Sequence, residues 1–374
     1  MTDFNAIKDA ILSIPPKAKL DNIRPEINWY HQPYLNTYDW LTSNNPEPVD
    51  LRHTYLTFEA LEDNTDISFI TNSNNITRTI EISTNNGGTW TQKTSGGYSD
   101  PESVIATLNT GEKLLVRGSN ESYGHLDHTF DQGGEAYNVQ GCSFMCSVGC
   151  EVYGNIMSLI DKNNFAELDE VKDYAFVRLF YYSNIKNYKN KLILPATKLG
   201  KYCYSFMFGN STITAMPELP STTLSEGCYA HMFEGTWIVR NVQRLPATTL
   251  TPYCYEGMFS QCRYLKVAPE LPSTELTPYC YKQMFAQCER LETAPDLPAA
   301  ILKEQCYFQM FSSCGKLSSI KCLATNFSAY LCTKNWTARV SSSGTFTKAE
   351  NAVWPTNTFG DYAGIPDNWT VETV

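Results

Sequence analysis

The sequence predicts an α+β, multidomain fold: an N-terminal helix and arm, a small immunoglobulin-like β-sandwich, then a solenoid of about six 26-residue coils with a β-rich C-terminal cap. Three observations carry this. The block Cys254-Tyr255-Glu256-Gly257-Met258-Phe259 returns as Cys280-Tyr281 with Met284-Phe285 and as Cys306-Tyr307 with Met310-Phe311. Cys203-Tyr204 and Cys228-Tyr229 open earlier copies, so the Cys-Tyr pair recurs at a nearly constant interval from Cys203 through Cys228, Cys254 and Cys280 to Cys306. Between Tyr55 and Arg117 the pattern is instead one of short alternating runs divided by Asn, Gly and Ser, the mark of half-buried strands. Met1 to Ile14 spaces Ile7, Ala10, Ile11 and Ile14 at helical intervals and stops at Pro15-Pro16.

Residues 1–50 form the first expected unit. Acidic and basic residues are scattered through the helix, unlike the basic and then apolar pattern of a secretory signal, so the chain is expected to be made and kept in the cytosol. Trp29, Tyr30, Tyr34, Tyr38 and Trp40 follow without periodicity. Such an arm either packs on its own neighbours or docks onto another protein, where Trp and Tyr are favoured anchors. Asn45-Pro46-Glu47-Pro48 reads as a linker.

Residues 51–123 are the expected sandwich, with strands at Tyr55–Phe58, Ile67–Phe69, Thr79–Ile82 and Lys113–Val116. Ser83 to Trp90 resembles the Asp-box hairpin of sialidases and β-propellers, with Asn85 where that family has Asp, and this resemblance implies a structural turn only. Residues 124–173 connect to the repeats. His125, Asp127, His128 and Asp131 gather in a loop that lacks a helix or strand to fix them as ligands, so no metal is expected. Cys142, Cys146 and Cys150 fit neither common zinc pairs nor iron-sulfur signatures and read as buried packing.

Residues 174–323 carry the repeats. Cys254, Tyr255, Met258, Phe259 and Cys262 lie at offsets 0, 1, 4, 5 and 8, a helical stripe, and Leu265-Lys266-Val267 reads as a short strand. A second column, Leu219-Pro220, Leu245-Pro246, Leu271-Pro272 and Leu297-Pro298, keeps the same register. About six buried side chains at roughly 1.5 to 3 kcal/mol each do not offset about 1 to 2 kcal/mol of backbone ordering per residue, so a coil folds only when stacked. The block resembles the BspA-like leucine-rich repeats of gut Bacteroidetes and their crAss-like phages. That resemblance implies a leucine-rich-repeat solenoid and, less specifically, adhesion or display. Residues 324–374, rich in Ser, Thr and Gly, are the expected cap, and Gly364 to Val371 resembles the closing segment of the same proteins.

The formal net charge of -10 argues against a nucleic-acid surface, which needs clustered Lys and Arg. No run approaches the roughly 18 apolar residues of a membrane span. Ten of thirteen cysteines lie from Cys203 onward, mostly at fixed repeat positions, and read as buried free thiols acting as small hydrophobes. No nucleophile elbow, phosphate loop or H-E-x-x-H is present, so neither enzyme activity nor a cofactor is expected.

What varies between coils is the residue after the core Leu and its neighbours. Trp237, Arg240, Arg263, Tyr264, Lys266, Arg290 and Glu292 are therefore the expected displayed binding face, beside the plain reading of solvated surface. The favoured function is a non-enzymatic phage virion protein, a head or tail fibre or decoration assembled in the host cytoplasm. Its arm would contact other virion proteins, its repeats a host-surface glycan or protein, and a homo-oligomer is expected. The alternatives are a bacterial surface adhesin and an intracellular scaffold.

Overall fold

A computed structural model describes residues 51–71, 76–98, 100–126, 139–187, 191–236, 242 and 244–374. The expected N-terminal helix and the arm residues Trp29, Tyr30, Tyr34, Tyr38 and Trp40 lie outside them, as do Trp237 and Arg240. The strands are β1 (Leu56–Ala60), β2 (Thr65–Thr71), β3 (Thr79–Ser83), β4 (Thr91–Thr94), β5 (Val104–Leu108), β6 (Lys113–Gly118) and β7 (Gly124–Leu126). They continue with β8 (Val139–Cys146), β9 (Cys150–Asn155), β10 (Ile185–Lys186), β11 (Leu192–Ile193), β12 (Ser319–Cys322), β13 (Thr345–Lys348) and β14 (Thr370–Thr373).

Alternation along β1, β3 and β6 buries Leu56, Phe58, Ile80, Ile82, Leu114 and Val116, which gives one sheet in the order β10-β9-β1-β6-β3-β4, with β11 also on β9. A second sheet runs β5-β2-β8-β7. Phe58 of the first meets Phe144 of the second at 5.3 Å between ring centroids, with Phe69 stacked on Phe144 at 4.7 Å. The turn between β3 and β4 is held by Asn85, whose Oδ1 accepts from the Thr89 N–H and the Ser83 hydroxyl, both at 2.9 Å.

The expected α+β class is overturned. Among the described residues the helical segments are 3-10 turns of three or four residues, at Leu51–His53, Pro101–Ser103, Ile156–Leu159 and Phe165–Glu167. The rest is sheet and turn, so the leucine-rich-repeat solenoid of helix and strand is not the fold. What the repeat builds is a ladder of turns. Tyr253, Gly257 and Gln261 have φ of 60°, 57° and 60°, so the chain turns every fourth residue and buries Cys254-Tyr255 after the first turn, Met258-Phe259 after the second and Cys262 after the third. Offsets of 0, 1, 4, 5 and 8 suit this as well as they suit an α-helix, and nothing in side-chain polarity separates the two.

Backbone hydrogen bonds show what the turns gain. The N–H groups of Cys254, Glu256, Met258, Ser260 and Cys262 donate three residues back, to Thr251, Tyr253, Tyr255, Gly257 and Phe259. The alternate ones, from Tyr253, Tyr255, Gly257, Phe259 and Gln261, leave the coil and donate to Pro278, Cys280, Lys282, Met284 and Ala286 of the next. An α-helix would keep every bond inside the segment. Here half of them tie coil to coil, which offsets the roughly 1 to 2 kcal/mol that a left-handed residue costs.

The same φ pattern recurs at Tyr174, Arg178 and Tyr182, at Tyr202, Phe206 and Asn210, and so on once per coil to Leu331, Asn335 and Arg339. Seven turn units therefore stack among the described residues. Tyr204, Tyr229, Tyr255, Tyr281 and Tyr307 form one column of parallel rings, 5.8 to 6.4 Å apart. Phe180, Phe208, Phe233, Phe259, Phe285 and Phe311 form a second, 5.4 to 5.9 Å apart. The first unit is covered by the sandwich, where Tyr123 and Phe144 donate backbone bonds to Ala175 and Leu179. At the other end Trp336 stacks on Tyr307 and Trp354 on Trp336, beside the parallel sheet β12-β13-β14.

Candidate functional site

The chain leaves each turn unit at a buried Leu, and the residues on either side of that Leu form one strip. Leu265, Leu291 and Leu317 are fully inside, and Val267, Thr293 and Ser319 bridge in parallel from coil to coil. This anchoring fixes Arg263, Tyr264, Lys266, Arg290 and Glu292 on two consecutive coils, with all five exposed. Arg263 faces Glu289 at 3.5 Å, and the Arg290 guanidinium lies 4.8 Å from the centroid of Tyr264. Each partner sits on the next coil at the same place in the repeat, so equivalent positions pair. Exposed ion pairs of this kind are worth about 0 to 1 kcal/mol, and an exposed cation–π contact about 0.5 to 1 kcal/mol.

The strip is chemically mixed, with two guanidiniums, a phenol ring, an ammonium and carboxylates. Glu289, one repeat after Arg263, is also legible in the sequence as a position that varies between coils. Sequence reasoning missed Val267 as an exposed residue, at 71% of its surface, although it occupies a strand position with nothing outside it.

A second set of charged residues lies on the turn side. Glu256 and Lys282 occupy the same place in consecutive coils and pair at 2.8 Å, with Glu256 almost wholly buried. Lys282 also lies 5.7 Å and 5.9 Å from the rings of Tyr279 and Phe308. Tyr279 stacks on Tyr253 at 4.5 Å and donates its hydroxyl to Glu304 at 2.7 Å; burial and that carboxylate push the phenol's pKa up. Further along, buried His231 stacks on Phe206 at 4.6 Å, and its Nδ1 is 2.8 Å from Glu234.

The thiols form the most regular feature. All thirteen are free and buried. Cys262, Cys288 and Cys314 each donate Sγ–H to the Phe carbonyl of the preceding coil, Phe233, Phe259 and Phe285, at 3.1, 3.1 and 3.0 Å. Burial pushes the thiols up, to about 12 for Cys262 and Cys314. Cys142 and Cys146 sit on β8 and Cys150 on β9, inside the sandwich. Of the earlier His and Asp cluster only His125 is described, on β7. Among the described residues no three His, Cys, Asp or Glu side chains converge as metal ligands, and no helix is long and apolar enough to cross a membrane. Comparison with protein-family models, with curated proteins and with solved structures gives no match for this chain.

Proposed function

We propose that the chain is a non-enzymatic phage virion protein, assembled in the host cytoplasm, that anchors to the particle through residues 1–50 and displays its stacked repeats outward. The observation that carries this reading is the thiol ladder. Cys262, Cys288 and Cys314 donate as reduced thiols, and all thirteen cysteines are free and buried, which suits folding in a reducing compartment. An exported adhesin would have to form the same ladder under oxidising conditions. A virion protein folds in the cytosol and leaves by lysis with its thiols already buried.

The strip containing Arg263, Tyr264, Lys266, Arg290 and Glu292 is the contact surface in this reading, presented to a host-surface glycan or protein. The test compares purified phage particles made with the full chain and with a chain lacking residues 1–50, checked for folding by circular dichroism. The full chain is expected in the particles and the truncated chain is not. Equal incorporation of both would contradict the N-terminal anchor, and absence of both would contradict the virion reading.

A further inference from the structure

Among the depressions on the described surface, two differ in how their polar groups are used. The one beside β3, of about 270 Å³, contains Glu81, but its carboxylate is held by Arg117 and Lys162 at 2.6 Å each. Asn120 in its wall donates to the Thr79 carbonyl and the Tyr123 hydroxyl. Its polar groups are engaged with one another. The second, of about 190 Å³, lies where the last turn unit meets the closing segment, bordered by Arg339, Ser341 and Ser342 on one bank and Phe359, Asp367 and Asn368 on the other.

Here the polar groups are held but not spent. Trp369 Nε1 donates to the Ser341 carbonyl at 2.9 Å, which ties the two banks together. The Thr358 hydroxyl donates to Asp367 Oδ2 at 2.8 Å and accepts from the Asp367 N–H at 3.1 Å, so the carboxylate is oriented and its second oxygen stays open. The side chains of Arg339, Ser342 and Asn368 make no hydrogen bond or ion pair among the described residues. Phe359 stands at the rim with 59% of its surface exposed.

We propose that this depression binds a neutral sugar, the terminal residue of a glycan. A pyranose needs donors and acceptors together with one apolar surface for its C–H face. Arg339, Ser342 and Asn368 supply donors, Asp367 supplies an acceptor, and Phe359 supplies the surface. The opposite charges of Arg339 and Asp367 disfavour a strongly charged ligand. The volume suits one ring and falls below the roughly 300 to 1,000 Å³ of sites for larger molecules. This inference rests on the display reading for the origin of the glycan and on the residues above for the site itself.

The experiment is saturation-transfer NMR on the full chain with the methyl glycosides of galactose, glucose, mannose and N-acetylglucosamine, repeated on Phe359→Ala and Arg339→Ala. Both side chains are exposed, and circular dichroism checks each variant's fold. At least one glycoside is expected to bind saturably and to weaken at least 10-fold in both variants. No binding by any of the four, or equal binding to the variants, would overturn the site. Incorporation into particles is scored separately. Sugar binding without incorporation supports the site and removes the display reading, while incorporation without sugar binding overturns the site alone.

Discussion

At the scale of single residues, the fold depends on two chemical choices made repeatedly, a left-handed residue every fourth position and a protonated thiol beneath it. Gly257 illustrates the first. Its φ is 57° and an added Cβ would meet the His231 ring. Gly257→Ala is therefore expected to cost roughly 2 kcal/mol or more in chemical denaturation. Gly97→Ala, where a Cβ meets nothing within 4 Å, should stay within about 0.5 kcal/mol. For the thiols the sign follows from linkage. Cys262, Cys280, Cys314 and Cys322 are pushed up by burial from 9.0 to about 12. Between these values the unfolded chain loses protons that the folded chain keeps. The stabilisation is full below pH 9 and falls as pH rises toward 12, by about 1.4 kcal/mol per pH unit for each such thiol. Denaturant midpoints measured from pH 8 to 11 should fall steeply above 9, and a flat profile would contradict the buried, protonated ladder.

At the scale of the element, the turn unit and an α-helix make opposite forecasts for glycine. Gln287 is exposed with a φ of 60°. In a helix Gln→Gly would cost about 0.5 to 1 kcal/mol; in the turn unit Gln287→Gly should be neutral or stabilising, and Gln287→Val should cost about 1 to 2 kcal/mol. Urea denaturation of the two variants decides. The strands were readable in the sequence because period two has one structural meaning: Leu56 and Phe58, or Ile80 and Ile82, alternate with polar residues and are buried. The coil interior was not, because Cys254, Tyr255, Met258, Phe259 and Cys262 fit a helix equally well. What distinguishes the alternatives is the run of Tyr, Gly, Gln and Asn at every fourth position, residues that differ in polarity and share only their place on left-handed backbone. The seventh unit was legible in spacing, since Cys332 and Trp336 stand one full period after Cys306 and Met310, but Trp in place of Met hid it. On the displayed strip, Arg263, Tyr264, Lys266, Arg290 and Glu292 were legible as the variable positions around each core Leu. Their pairing with Glu289 and with each other required the register between coils.

For the molecule as a whole, stacking makes each unit a support for its neighbours, so the cost of a substitution depends on whether it touches the shared core. Tyr255→Ala removes a ring that stacks on both Tyr229 and Tyr281 and should cost roughly 3 to 5 kcal/mol. Arg290→Ala on the exposed strip should stay within about 0.5 kcal/mol, apart from its small cation–π contact. Calorimetry of the two variants separates them. The functional reading stands on the same architecture, because a ladder of thiol-to-carbonyl hydrogen bonds requires every participating sulfur to be reduced. The most direct measurement is a thiol titration of the full chain, purified without reductant, in native buffer and again in denaturant. No reactive thiol is expected in the native chain and all thirteen in the unfolded one. Fewer than thirteen after unfolding would mean that disulfides form, contradicting both the ladder and the cytosolic assembly it supports.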